Sequence, residues 1–377
     1  MKRTRSTPLP TDTLIDKNLD KTRLNPLYTI LLIGYDAHIC LSIACALRKR
    51  PYRLLFLTSH SETCVIHSRL VSRVFTYSGY DETLEAVQRV ALEESIDLIM
   101  PFDEIESFTV SSLRGQLEAI APVSALTASD MFATAISKNR LYSLLSDHGV
   151  HVMPKSVLSE RRPLEVRDAV GMEFPLLVKP ARSSFGRGIL HFKNSPSLHR
   201  HLTTSDNVNY ALQEYVHGSD ITCNIIAQEG EVLVHTIQES PTKQLGNYSR
   251  NDDLEFKNDE EVLEIVSRVA RILKWNGVAC FDLRRRASDN KIFLLEINGR
   301  FWGSLLASWT IAGVNFPDLL IRQALGLRWP KIEKKEGMQL SLRVAAIKMF
   351  NGRLFSLKHT KYTSYLVDPV ARFLKYF

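Results

Sequence analysis

Three side chains that offer hard oxygen donors fall within one short stretch of the sequence. Between Val278 and Arg300, the segments Ala279-Cys280-Phe281-Asp282-Leu283 and Ile292-Phe293-Leu294-Leu295-Glu296-Ile297-Asn298 read as two strands of a hairpin, joined by the charged, turn-rich Arg284–Lys291. Side chains alternate between the faces of a strand, so Glu296 and Asn298 share one face and Asp282 can lie opposite them. An Asp, a Glu and an Asn suit Mg²⁺, which takes one or two carboxylates and fills its octahedral shell with substrate phosphate oxygens. Arg300 is in phase with this face and has the geometry to hold a phosphoryl group or a carboxylate. An edge hairpin with its polar residues in water would use the same spacing.

A second polar cluster lies upstream. Phe174–Val178 (FPLLV) is apolar enough for a strand and runs into Lys179-Pro180. The loop Ala181–Gly188 follows, with Ser183, Ser184, Gly186, Gly188 and two arginines. Flexible backbone N–H groups beside positive charge suit phosphate, although the GxxxxGK[ST] pattern is absent and a plain surface hairpin has similar composition. Gln213-Glu214-Tyr215-Val216 then ends one strand, and Gly218-Ser219-Asp220 opens the next.

These segments need a scaffold. From Tyr28 onward, Thr29–Tyr35, Ile39–Leu47 and Arg53–Thr58 read as strand, helix, strand; Glu82–Glu94 is helical, Asp97–Pro101 a buried strand and Ile105–Ile120 a helix. Such alternation builds a parallel sheet with helices on both faces. Gly34 is followed by Tyr35-Asp36-Ala37-His38 rather than GxGxxG, which argues against a dinucleotide site; a small substrate at the carboxyl ends of the strands remains open. Ala128–His148 reads as one helix closed by Gly149, and strand-rich sequence follows.

Of the 377 residues, 45% are apolar and 24% charged, the balance of a globular chain with room for two or three domains. Residues 1–27 carry +3 with three prolines and read as a flexible leader, residues 28–326 carry −4, and residues 327–377 carry +8. An acidic body argues against a duplex-binding surface, so no nucleic acid is expected. The expected location is the cytoplasm: the sequence shows no apolar run of spanning length and no secretory pattern after its basic start. The five cysteines, Cys40, Cys45, Cys64, Cys223 and Cys280, lack metal spacing and are expected as free thiols. His38, His191, His217 and His235 show no metal spacing and are given no catalytic role, and Trp275, Trp302 and Trp309 are expected in the core.

The order of these parts resembles the ATP-grasp superfamily, and within it the carbamoyl-phosphate-synthase-like carboxylate-amine ligases. The likeness rests on Lys138 in a helix before a glycine, strand-Lys179-Pro180 with its Gly/Ser loop, Gln213–Val216, Asp282 with Glu296–Ser304, Ala312–Pro317 and, weakly, Asp368-Pro369. It implies an α/β fold with a Rossmann-like pre-ATP-grasp domain at 28–124 and a two-lobed α+β ATP-grasp domain at 125–326. The small lobe would span about 150–215 and the large lobe about 216–326, with a basic extension at 327–377. By the same resemblance Lys138 and Lys179 contact ATP phosphates under a lid of Ser183, Ser184, Gly186 and Gly188. Gln213, Glu214 and Val216 hold adenine and Asp220 the ribose, while Asp282, Glu296 and Asn298 ligate Mg²⁺, or Mn²⁺ in its place. Arg300 and Lys179 then serve phosphoryl transfer. The implied partners are a small carboxylate and an amine; the alternatives are bicarbonate activation and an ATP-binding sensor without turnover. Lys243, Tyr248 and Arg250 stay undecided between the site and a solvated loop, and Arg284 between a carboxylate clamp and a solvated charge run. The C-terminal segment is expected to dock on the body, with homodimer contacts or an anionic membrane surface as the other roles.

Overall fold

The computed structural model describes residues 28–159, 162–180, 188–205, 208–240, 253–341 and 367–374. The first unit comprises β1 (Tyr28–Ile33), α1 (Ala37–Leu47), β2 (Tyr52–Thr58), β3 (Arg73–Thr76), α2 (Thr83–Glu93), β4 (Leu98–Pro101), α3 (Glu104–Ser112) and α4 (Arg114–Leu117). Its four strands are parallel in the order β3-β2-β1-β4. Ile30, Leu31, Leu32 and Ile33 are all fully buried, because helices cover both faces of a parallel sheet and every residue of a central strand meets one. Ile30 and Leu32 pack with α1, whereas Leu31 and Ile33 pack with α2 and α3. The expected helix at Ile105–Ile120 is two: α3 ends at Leu113, where the backbone turns into α4.

Two further helices, α5 (Ser129–Ala135) and α6 (Lys138–Asp147), lead into the rest of the chain. The single helix expected over Ala128–His148 is therefore broken at Ile136-Ser137. Ser137 is extended, and its hydroxyl accepts from the Arg140 N–H, capping α6 so that Lys138 becomes its first residue.

A small lobe follows, formed by β5 (Ser156–Ser159), β6 (Leu176–Pro180), β7 (Leu190–Phe192), α7 (Ser195–Thr204) and β8 (Tyr210–Glu214), with strand order β5-β8-β6-β7. The large lobe contains β9 (Gly218–Gln228), β10 (Glu231–Glu239), β11 (Leu254–Phe256), α8 (Glu260–Ile272), β12 (Gly277–Arg286), β13 (Ile292–Asn298), α9 (Leu305–Thr310), α10 (Phe316–Ala324) and β14 (Gly337–Gln339). Its antiparallel sheet runs β13-β12-β9-β10-β11-β14 and so draws an edge strand from beyond residue 326. One sheet face packs Cys223, Ile225, Ala279 and Phe281 against Val262, Val266 and Val269 of α8. The opposite face is apolar at Ile226, Val234, Val278 and Cys280 and polar at Thr222, Asn224 and Asp282.

The first unit and the large lobe share a core: Ile30, Leu32 and Phe102 belong to one apolar cluster with Val278, Cys280, Phe301 and Trp302. A last helix, α11 (Pro369–Leu374), sits on the first unit: Ser68 Oγ donates to Asp368 Oδ2 at 2.5 Å, Arg69 Nε to the Val367 carbonyl at 3.0 Å, and Ala371 is fully buried. This is the docking expected of the C-terminal segment. None of the five cysteines is in a disulfide, Trp275 and Trp302 are buried, and among the described residues no helix is long and apolar enough to cross a membrane.

The seam is tight at Gly277, the first residue of β12. Its φ is +85°, and a Cβ there would lie 2.0 Å from the Ala125 carbonyl oxygen. Beside it Asn276 N donates to Thr127 Oγ1 at 2.8 Å. Gly326 has φ +66° but open space around it. Gly277→Ala is expected to lower unfolding stability by about 2–4 kcal/mol, through strain and backbone clash, and Gly326→Ala by only about 1 kcal/mol. Urea unfolding of both variants checks this.

Candidate active site

The hairpin expected from alternation is present: β12 and β13 are antiparallel, with Asp282 directly opposite Glu296 and Cys280 opposite Asn298. Leu295 is an extra residue on β13, because Leu283 pairs with Leu294 while Asp282 pairs with Glu296. Asn298 Nδ2 donates to Asp282 Oδ2 at 3.0 Å, and Thr222 Oγ1, from β9, donates to Asp282 Oδ1 at 3.3 Å. Lys138 Nζ, at the start of α6, lies 2.6 Å from Glu296 Oε2. Lys179, on β6, is buried and donates to Gln213 Oε1 at 2.5 Å; Gln213 Nε2 in turn donates to Ser156 Oγ at 2.8 Å. Lys138, Lys179, Asp282, Glu296, Asn298 and Arg300 thus gather from four segments.

Each titration shift has a physical cause. Burial, followed by the Glu296 charge, pushes Asp282 up to about 7. Glu296 moves the other way: burial would raise it, but the charge and hydrogen bond of Lys138, with Lys179 and Arg300, hold it below the usual range. Burial and then the Lys138 charge bring Lys179 down to about 7. Two carboxylates and two lysines in one desolvated region therefore exchange charge among themselves.

The residues expected to hold a nucleoside are less crowded. Glu214 ends β8, its Oε1 accepting from the Glu173 N–H at 2.9 Å, and Val216 is buried just beyond. Asp220 meets Arg284, with Nε 3.4 Å from Oδ1. Arg284 is neither a turn residue nor part of a solvated run: it lies on β12, 8% exposed, over the Tyr215 ring, with Nη2 donating to Tyr215 Oη at 3.2 Å. Thr222 pairs with Asp282 and Asp220 with Arg284, so Asp220 lies one step along the same face from Asp282. Gly188, with φ +76°, is the described end of the Gly/Ser loop. Ser183, Ser184, Gly186, Lys243, Tyr248 and Arg250 lie outside the described residues.

Two carboxylates come from a part of the chain that the sequence reading left out of the site. Arg300 lies near Cys280, Glu104, Asp282 and Asp103, and Glu104, at the first turn of α3, accepts from the Gly299 N–H. Asp103 Oδ2 accepts from the Tyr35 and Asp36 N–H groups, both at 2.8 Å. The available signal was positional: Asp103 and Glu104 follow a parallel strand, at the carboxyl edge where open α/β sheets bind ligands.

The donor set fits a hard divalent cation. Among the described residues no three His, Cys, Asp or Glu side chains cluster as a metal set; here there are two carboxylates and an amide, and the amide turned over presents Oδ1 in place of Nδ2. Such a set leaves most of an octahedral shell to phosphate and water oxygens, as Mg²⁺ sites commonly do.

A family model described as "ATP-grasp in the biosynthetic pathway with Ter operon" matches residues 207–350, which carry β9, β12, β13 and the three oxygen donors. The chain is 28% identical over 167 residues to a D-alanine–D-alanine ligase of Acidovorax ebreus, covering 39% of this chain and 50% of the relative. It thus spans about half the length of that curated relative. It is 20% identical over 255 residues to a carbamoyl-phosphate synthase of Methanobrevibacter smithii, covering 64% and 68% of the two chains. The solved N5-carboxyaminoimidazole synthetase of Staphylococcus aureus, complexed with ADP, superposes with a TM-score of 0.67 at 15% identity, over 89% of each chain. The segment 207–350 thus matches the ATP-grasp family. The chain joins a parallel-sheet unit to two lobes, and its Asp282, Glu296 and Asn298 lie inside the matched region.

The Lys179 shift gives a pH dependence. Phosphate pairs with the ammonium form, and in the free protein that form is lost as pH rises through about 7. Metal-free ATP affinity is expected to fall about tenfold between pH 7.5 and 9, with Lys179→Gln flattening the slope by more than half. Calorimetric titration in the presence of a chelator measures both.

Proposed function

We propose that this chain is an ATP-dependent, ADP-forming ligase that phosphorylates a carboxylate and couples it to an amine. The observation behind this is the gathering, on one sheet face, of Asp282, Glu296 and Asn298 with Lys138 and Lys179 from separate segments and Arg300 beside them. A triphosphate brings a dense negative charge that two lysines only partly match. When bound, Mg²⁺ held by Asp282, Glu296 and Asn298 supplies the remaining positive charge for phosphoryl transfer.

In this scheme Lys138 and Lys179 orient the phosphates, and Asp220 with Arg284 fixes the nucleoside end. A carboxylate oxygen of the substrate attacks the γ-phosphorus while the bond to the β–γ bridging oxygen breaks, giving ADP and an acylphosphate. Arg300 stabilises charge on the acyl oxygens. The amine nitrogen then attacks the acyl carbon, inorganic phosphate leaves with the bonding pair, and the nitrogen loses a proton. The protein needs no nucleophile of its own.

The test is MgATP-dependent release of ADP and phosphate with pooled amino acids, small carboxylates, amines and bicarbonate. Release should require the pool and fall by more than about a hundredfold in Glu296→Ala, with unchanged thermal unfolding. Release with bicarbonate alone would support carboxylation, and ATP binding without release from any pool would support a sensor. Wild-type turnover by Glu296→Ala would sink the site assignment.

A further inference from the structure

The large lobe holds a second hollow, which the phosphoryl chemistry does not use. β11 pairs with β10 only at Gln238 and Glu239, so the edge of β10 ahead of that point has no strand beside it among the described residues. The stretch 331–336 comes in there instead. Lys335 N donates to the Ala312 carbonyl at 3.1 Å, and a Cβ on Gly313, whose φ is +80°, would lie 2.5 Å from the Glu333 carbonyl oxygen. Between the strand edge and this stretch lies a hollow of ≈ 250 Å³, open to solvent and walled by His235, Lys257, Asn258, Lys334 and Lys335. His235 pairs with Ile225 across β9, which puts it on the sheet face that packs against α8, the face away from Asp282.

Positive charge gathers in this hollow without its complement. Lys334 Nζ and His235 Nε2 share a hydrogen bond at 3.1 Å. One nitrogen of such a bond must present a lone pair, so the two groups do not both carry a charge while it is kept. Burial, followed by the Lys334 charge, holds His235 down to about 4, and burial holds Lys334 below the usual lysine range. The acids of the neighbourhood are spent elsewhere. Glu239 pairs with Lys257, Glu333 with Lys331 at 3.3 Å, and Glu336 Oε1 accepts from the Asn258 N–H at 3.1 Å and from Nδ2 at 3.2 Å. Among the described residues this leaves Lys334 and Lys335 with no carboxylate in an ion pair. An ammonium that is partly withdrawn from water and has an imidazole for its acceptor lacks the charge-assisted bond that an anionic oxygen makes.

We propose that this hollow binds a small oxyanion, a phosphate or a compact carboxylate, held by Lys334, Lys335 and the His235 ring. Its oxygens accept from the two ammonium groups, which are exposed and free to swing onto it, while Lys257 and Asn258 stay with Glu239 and Glu336. A neutral molecule gains nothing from these groups and a cation is repelled. The site lies on the other face of the sheet from Asp282 and Glu296, and the inference does not rest on the ligase reading. Three of the donors come from two separate segments, β10 and the stretch that leads into β14, so a bound anion ties that stretch to the sheet edge. Binding is therefore read as protection of the fold.

The test titrates the full chain with inorganic phosphate, sulfate, acetate and malonate, at constant ionic strength set with chloride, and follows thermal shift and calorimetry. Lys334→Gln and Lys335→Gln remove one donor each, the second without touching the bond to His235, and Lys334→Arg keeps the charge. Lys138→Gln serves as the control for anions entering the phosphoryl site. The expected result is a melting temperature raised above the chloride level, with Lys334→Gln and Lys335→Gln each weakening anion affinity about tenfold, Lys334→Arg holding it within about threefold and Lys138→Gln leaving it unchanged. Protection by phosphate and sulfate alone identifies a tetrahedral oxyanion as the ligand, and protection by acetate or malonate alone a carboxylate; either supports the site. No protection beyond chloride from any of the four, affinity unchanged in both Lys334→Gln and Lys335→Gln, or affinity lost in Lys138→Gln and kept in Lys334→Gln would each overturn the proposal.

Discussion

Asp282 and Glu296 face each other across adjacent strands in a desolvated place, and the rest of the site answers that pairing. Two carboxylates so placed cannot both ionise without positive charge close by. Lys138 meets Glu296 directly, Asn298 and Thr222 donate to Asp282, and Arg300 stands beside it. The pair is thus held with Glu296 charged and Asp282 raised towards its neutral form.

Holding these groups in register is a packing problem. The Gly299 turn places Arg300 after the metal strand, and a Cβ at Gly299 would come within 2.4 Å of the Phe132 ring of α5. Phe132 in turn stacks on Trp275, with centroids 5.6 Å apart, at the entrance to β12. The helix pair that presents Lys138 and the hairpin that presents Glu296 therefore rest on the same aromatic pair. The break at Ser137 follows from this constraint: α5 must lie on Gly299 while α6 leads Lys138 to the carboxylate, and one straight helix does not do both.

The parts legible in the sequence are those governed by local periodicity. The apolar runs of β1, β2 and β4 stood out because parallel strands are buried on both faces, and the Asp282, Glu296 and Asn298 face followed from strand alternation alone. What was missed depends on contacts between distant residues. The pattern over Ala128–His148 is helical throughout and does not reveal a turn imposed by Phe132 and Gly299. Arg284-Arg285-Arg286 resembles a solvated run until β9 brings Asp220 and β8 brings Tyr215 against its first member, while Arg285 turns to Asp259 at the start of α8. Asp103 and Glu104 lie nearly two hundred residues before Arg300, and no period links them.

That separation also divides the work. The two lobes hold groups suited to a triphosphate and a divalent cation. The carboxyl edge of the first sheet meets this region directly, with Phe102 packed among Val278 and Cys280 and accepting from the Phe301 N–H. Arg300 bears on both, since its guanidinium lies near Asp282 on one side and Glu104 and Asp103 on the other, and the charges of Lys138 and Glu296 reach Glu104 as well. A substrate carboxylate at Arg300 would weaken the hold of those acids on the guanidinium and bring the charge of the first domain into the phosphoryl site.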